Sequence, residues 1–268
     1  MRTRFHAPPT FLQAVERRIH VGARHLRLSR QLIPTLCVSP PRSGHHLLTN
    51  YLFKYFSGDP AFQDLAGHET RRRAKEVVAA GPLQYCEYYH HCRSIPCVDP
   101  RVNLMKFHDR SRRQPSEELA HIIVQVRNPL LSIRSFYAFQ HKRAPRDCDD
   151  FLEMLRPELA YWSGFVEKWV LTPHPSRLVI RYDDLILDPS VTLARAIRFL
   201  QPGRPVDDDL LRRCIGSQRV VRSDWVAQQR SLWADSRLAA VEEQVMPLLE
   251  RAGIERLFKP SPPAHHAN

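Results

Sequence analysis

TLCVSPPRSGHHLLTNYL, residues Thr35 to Leu52, is the stretch whose reading decides the fold. An apolar, strand-like run breaks at Pro40-Pro41, and an amphipathic helix starts after Arg42-Ser43-Gly44, which spells strand, tight turn and helix start. Such a junction aims unpaired backbone NH groups and the positive end of a helix dipole at one point, and Arg42 adds a fixed cation there. Phosphate or sulfate suits that chemistry, with a well-capped surface turn as the plain alternative. The GxxxxGK[ST] spacing is absent and no Lys-Ser/Thr pair opens the helix to hold magnesium, which weighs against an ATPase or kinase.

Outward from this stretch, short β-rich runs alternate with helical patterns. Strands are expected over Thr35 to Ser39, Val102 to Phe107, Ile122 to Arg127 and Arg177 to Tyr182. Helices are expected over His45 to Phe56, Leu130 to His141 and Val191 to Leu200, with a long one through Phe151, Leu155, Leu159, Trp162, Val166 and Trp169. A closing helix carries Leu238, Val241, Val245 and Leu248. Apolar strands each followed by a helix predict an α/β fold, a single domain around a mainly parallel sheet covered on both faces. Ligands of such sheets sit beyond the carboxyl ends of the strands, so Arg42, the segment after Met105 and the segment after Val126 are expected on one rim.

The chain has 268 residues, 43% hydrophobic and 25% charged, which is a globular composition long enough to bury a substantial core. Forty Lys and Arg against 28 Asp and Glu give a formal charge of +12, which suits nucleic acid, an anionic membrane surface or an anionic cofactor. The arginines are scattered apart from knots at Arg71 to Arg73 and Arg110 to Arg113, and no nucleic-acid-binding signature organises them, so no nucleic-acid partner is expected. No run approaches the roughly 18 apolar residues of a membrane span, and Met1 to Gln31 is charged throughout, so a cytoplasmic protein without a transmembrane segment is expected.

The third rim segment reads Arg127-Asn128-Pro129, a helix start with proline in the first turn, and places Ser135 two turns in, where it and Arg127 could clamp one phosphate. The second reads Met105-Lys106-Phe107-His108-Asp109, and alternation sends Lys106 and His108 to the same side, one a cation and one a potential base.

PPRSGHHLL, KFH, RNPLLSIRSFY and IRYDDL, in this order, resemble the PAPS-dependent sulfotransferase superfamily, and the likeness extends to Trp162, Trp169 and Ser223-Asp224-Trp225. The resemblance implies a P-loop-NTPase-like fold for a sulfotransferase domain over 31–256; outside it, an N-terminal helical extension over 1–30 and a disordered tail over 257–268 are expected from the chain itself. It implies transfer of a sulfuryl group from 3′-phosphoadenosine 5′-phosphosulfate (PAPS) to a hydroxyl, with 3′-phosphoadenosine 5′-phosphate (PAP) as product and no metal required. The acceptor is expected to be a carbohydrate or small metabolite. On this likeness Arg42, Ser43 and Gly44 hold the 5′-phosphosulfate, Arg127 and Ser135 the 3′-phosphate, Tyr182 meets the adenine, and Arg219 adds a 3′-phosphate contact, although the loop glycine expected after it is Val220. Arg42 and Lys106 would stabilise the leaving phosphate while neutral His108 removes the acceptor's proton. Two positions depart from the pattern. His45-His46 replaces a small hydroxylated pair, so imidazoles would donate to phosphate or simply face solvent, and Leu47 stands where an adenine-stacking Trp is usual.

Tyr85 to Cys97 gathers Cys86, Cys92 and Cys97 with Glu87, His90 and His91 where an acceptor-binding insertion would lie. Reduced thiols, a disulfide and a zinc site all remain open for these cysteines, while Cys37, Cys148 and Cys214 read as isolated thiols. Glu87 is a second candidate for the base. Two other functions stay in view: a P-loop-type nucleotide kinase or NTPase, and a non-catalytic basic module that binds anions.

Overall fold

A six-stranded sheet in the order β2-β3-β4-β1-β5-β6 forms the centre of the molecule. The computed structural model describes residues 32–62, 78–87, 95, 97, 99–110, 121–218 and 230–258. The strands are β1 Thr35–Val38, β2 Val78–Ala80, β3 Leu83–Glu87, β4 Leu104–Phe107, β5 Ile122–Val126 and β6 Arg177–Arg181. All neighbours are parallel except β2, which forms an antiparallel hairpin with β3. Among the described residues the α-helices of six residues or more are α1 His45–Ser57, α2 Pro129–His141, α3 Cys148–Val166, α4 Tyr182–Leu187, α5 Pro189–Leu200, α6 Asp208–Gly216, α7 Ser236–Gln244 and α8 Met246–Ala252. The α/β class and the mainly parallel, two-faced sheet expected from the sequence are present.

Strand alternation divides the core into two clusters. Leu36, Val38, Met105, Phe107, Ile122 and Val124 face α2, α3, α7 and α8. Cys37, Leu104, Ile123, Leu178 and Ile180 face α1, α5 and α6. Because β1 lies between β4 and β5, the carboxyl ends of all three strands share one rim, and their following loops open at the same edge.

Several boundaries differ from the sequence reading for local reasons. The expected strand from Val102 begins at Leu104, although Asn103 keeps backbone bonds to Thr35 and Gln84. The strand expected to reach Tyr182 ends at Arg181, and Tyr182 opens α4. The long helix ends at Val166 and continues as a π turn, Glu167–Leu171, closed by Thr172 N on Glu167 O at 3.0 Å. The closing helix breaks at Val245, because Pro247 has no NH to donate to the Glu243 carbonyl one turn back and its ring crowds that carbonyl. The segment from Tyr85, expected to begin an insertion, begins instead inside strand β3. Its hairpin turns on Gly81 at φ 57°, the positive φ that the first residue of a two-residue loop requires. Leu257 and Phe258, assigned to the tail, donate their NH groups to Glu242 at 2.8 and 2.9 Å. The expectations for residues 1–30, Arg71 to Arg73, His90, His91, Cys92, Ser223 to Trp225 and the rest of the tail lie outside the described residues.

Candidate active site

The loop from β1 to α1 supplies the anion-binding chemistry. Arg42 (φ 64°) and Gly44 (φ 92°) are left-handed, and at Gly44 a side chain would also meet the Tyr182 ring, with Cδ2 2.5 Å from an added Cβ. Gly44 is the N-cap of α1 and brings no side-chain oxygen to the first-turn NH groups, so these groups and the dipole point into the loop. Ser43 is buried there with its Oγ lacking a hydrogen-bond partner among the described residues.

Two further cation-bearing elements meet this loop. Arg42 Nε donates to Ser135 Oγ at 3.1 Å, which joins the loop after β1 to the second turn of α2. Arg127, just past β5, lies over Tyr182 with Cζ 4.1 Å from the ring centroid. Its Nε is buried without a hydrogen-bond partner among the described residues. Burial lowers the pKa of Arg127, and the Arg42 charge lowers it further, against the pull of Tyr182 and Asp183. Arg134, immediately before Ser135 on α2, is pushed down to about 10 by burial and then by Arg127. Cations gathered and desolvated in this way are stabilised by an anion.

Beneath the loop runs a polar row on the α1 side of the sheet. Glu87 pairs in register with Lys106, and Lys106 with Cys37, so alternation points Tyr85, Glu87 and Lys106 toward α1. Lys106 Nζ lies 3.3 Å from Glu87 Oε1 and 3.1 Å from His46 Nε2. Tyr85 donates its hydroxyl hydrogen to Glu87 Oε1 at 3.1 Å, so its oxygen accepts from His45 Nε2–H at 3.1 Å. Ammonium has no lone pair, so His46 Nε2 accepts from Lys106 and carries its proton on Nδ1. Burial, then the Lys106 charge, holds the pKa of His45 well below the ordinary imidazole range.

His108 stands at the end of β4. Its Nδ1–H donates to Ser39 O at 2.7 Å, which leaves the lone pair on Nε2. Burial and then the Lys106 charge push its pKa down to about 4, so it is a neutral base at ordinary pH. Beside this segment Pro40, Pro41, Ile133, Phe136, Tyr161 and Trp162 line a small, largely apolar cleft. Arg110 lies over the Phe136 and Tyr161 rings and pairs with Glu158 at 2.6 Å at its edge.

The residues expected at the site thus form two adjoining groups. Arg42, Ser43, Gly44, Arg127, Ser135 and Tyr182 meet around the loop, and His45, His46, Glu87 and Lys106 form the row beneath it. Arg219 lies outside the described residues. The Tyr182 ring, expected to meet adenine, is in contact with Arg127 and Gly44. The sequence reading missed Tyr85, Asp109, Tyr161 and Lys168. The alternation Leu83, Tyr85, Glu87 was the available signal for Tyr85; nothing local linked Tyr161 or Lys168 to a strand end.

Cys86 and Cys97 are buried, and Cys86 Sγ lies 3.6 Å from Glu87 O. Cys37, Cys148 and Cys214 are free thiols in the core. Among the described residues no group of three His, Cys, Asp or Glu side chains is gathered to hold a metal ion, and no helix is long and apolar enough to cross a membrane.

No protein-family model matches the chain, and neither does any curated protein. Among solved structures it is similar to the sulfotransferase domain from the curacin biosynthetic pathway. The two are 17% identical, with a TM-score of 0.41, over 85% of this chain and 99% of that one.

Proposed function

We propose that this chain transfers a sulfuryl group from PAPS to the hydroxyl of a carbohydrate or small metabolite. The observation that carries the reading is the Arg42–Ser135 hydrogen bond beside Arg127, which brings cations from two rim segments to one place. The donor set fits such a nucleotide: guanidiniums, hydroxyls, open first-turn NH groups, and the buried Ser43 Oγ and Arg127 Nε with hydrogen-bonding capacity to spare. Arg42, Ser43, Gly44, His45 and His46 would hold the 5′ end, Arg127 and Ser135 the 3′-phosphate, and Tyr182 the base. When bound, the nucleotide supplies the activated sulfuryl group.

The protein's own contribution is placement and charge. Lys106 offers a cation under the loop, while Glu87 takes part of its hydrogen-bonding capacity and sets its direction. Glu87 Oε1 already serves both Tyr85 and Lys106, which favours a role orienting Lys106 over one as base. His108, neutral and with Nε2 holding the lone pair, accepts the hydroxyl proton of an acceptor seated beside the apolar cleft.

Turnover of PAPS to PAP across a panel of hydroxyl acceptors tests the reading. His108→Ala is expected to bind PAP like the parent chain and to lose turnover. Retained turnover in His108→Ala would move the base to Glu87, and magnesium-dependent ATP hydrolysis would favour the kinase or NTPase alternative. Binding of PAP without turnover on any acceptor would favour the basic anion-binding module.

A further inference from the structure

The residue after the candidate base is unusually committed. Asp109 has no exposed surface and a left-handed backbone, φ 41°, a conformation that Asp tolerates better than most residues. Its Oδ2 accepts from Lys168 Nζ at 2.6 Å and from Trp169 Nε1 at 2.9 Å. Tyr161 donates its hydroxyl to the His108 carbonyl, and Trp162 Nε1 donates to the Arg127 carbonyl at 3.1 Å. All four donors stand on one rod, α3 with its π turn, as two adjacent pairs seven residues apart, the spacing that returns side chains to one helix face.

From this arrangement we infer that Asp109 is a positioning residue: its anchorage by Lys168 and Trp169 fixes the backbone at His108 and so holds the imidazole on Ser39 O with Nε2 turned to the site. A buried carboxylate needs partners, and the partners here come from a long helix packed across the sheet, so the strand end cannot shift without breaking them. The same rod holds the Arg127 carbonyl through Trp162. It therefore sets the distance between the base-bearing segment and the segment that carries the candidate phosphate cation. The catalytic consequence rests on His108 being the base proposed above; the anchorage itself does not.

The test compares Asp109→Gly with Asp109→Asn. Both residues accept positive φ, so a purely conformational role makes the two variants alike. Asn keeps one amide oxygen that can accept from both Lys168 and Trp169, as Oδ2 does, whereas Gly keeps none. The readout is the ¹⁵N long-range spectrum of the imidazoles, with the His108→Gln chain identifying the His108 signal among 14 histidines. In the parent chain and in Asp109→Asn, His108 is expected as the neutral Nδ1–H tautomer. Asp109→Gly and Lys168→Met are expected to show mixed tautomers while PAP affinity is unchanged. With PAPS and 2-naphthol as probe acceptor, Asp109→Gly should lose turnover on the order of 10²-fold, the scale of a misplaced reacting group. If His108 keeps a single Nδ1–H tautomer in both Asp109→Gly and Lys168→Met, the positioning role is overturned. A parent chain that neither binds PAP nor turns over PAPS contradicts the functional reading alone, and the tautomer comparison still decides the anchorage.

Discussion

At the scale of single residues, the site is governed by where protons and charges are allowed to be. His108 is neutral because burial and Lys106 both oppose its protonation, with a pKa pushed down to about 4. The sign of the linkage follows. In the unfolded chain His108 titrates at about 6.5, so its contribution to stability is complete above that pH and is lost as pH falls toward about 4. Thermal unfolding should therefore show a melting temperature that drops between pH 6.5 and 4, and His108→Gln should flatten part of that drop. The contribution is at most about 3 kcal/mol. In the proposed reaction, the acid limb of kcat/KM should fall near pH 4, not near 6.5. Arg127→Ala should weaken PAP binding by about 10- to 100-fold, since hydrogen bonds to charged groups contribute roughly 1.5–3 kcal/mol. Ser135→Ala, which removes a neutral hydroxyl, should weaken it by about fivefold. Calorimetric titration of each variant checks both.

At the scale of elements, the turn after β1 was legible because Pro-Pro, Arg-Ser-Gly and an apolar helix leave little choice of conformation. Gly44 shows how tightly that turn is specified. Gly44→Ala would add strain at φ 92° and a clash with Tyr182, so it should cost about 2 kcal/mol or more of stability and disturb PAP binding, read by denaturant unfolding and titration. Strand β3 was not read as a strand, because five residues between a Gly-Pro turn and a cysteine cluster give a weak periodic signal. Other contacts were illegible because their partners are remote in sequence. Glu242 is buried, accepts from Asn128 Nδ2 at 2.8 Å, and takes the NH groups of Leu257 and Phe258. It links α7 and the chain after α8 to the N-cap of α2, next to Arg127. Glu242→Ala removes the acceptor of these three donors, of which the Asn128 amide is buried, and should destabilise the fold by about 3 kcal/mol. Chemical denaturation measures that loss directly.

At the scale of the whole molecule, one topological fact organises the site. β1 lies between β4 and β5, so the loops after all three strands reach one rim, and the chain brings Arg42, His108 and Arg127 there from distant stretches of sequence. Strand-helix alternation made this convergence legible, since parallel strands must deliver their following loops to the same edge. The order of the strands was not, because pairing is set by tertiary packing that no local pattern encodes. Nor was the bracing role of α3: the helix itself was expected from its apolar spacing, but its hold on two rim segments appears only once Trp162 and Trp169 are seen to donate indole hydrogens. The formal +12 of the chain is consistent with an anionic ligand, yet it is the location of a few desolvated cations that points to one. The most direct measurement is calorimetric titration of PAP against ATP with magnesium, on the parent chain and on Arg127→Ala. The account predicts one-to-one, metal-independent binding of PAP that Arg127→Ala weakens at least tenfold. Magnesium-dependent binding of ATP with none of PAP, or PAP binding indifferent to Arg127, would contradict it.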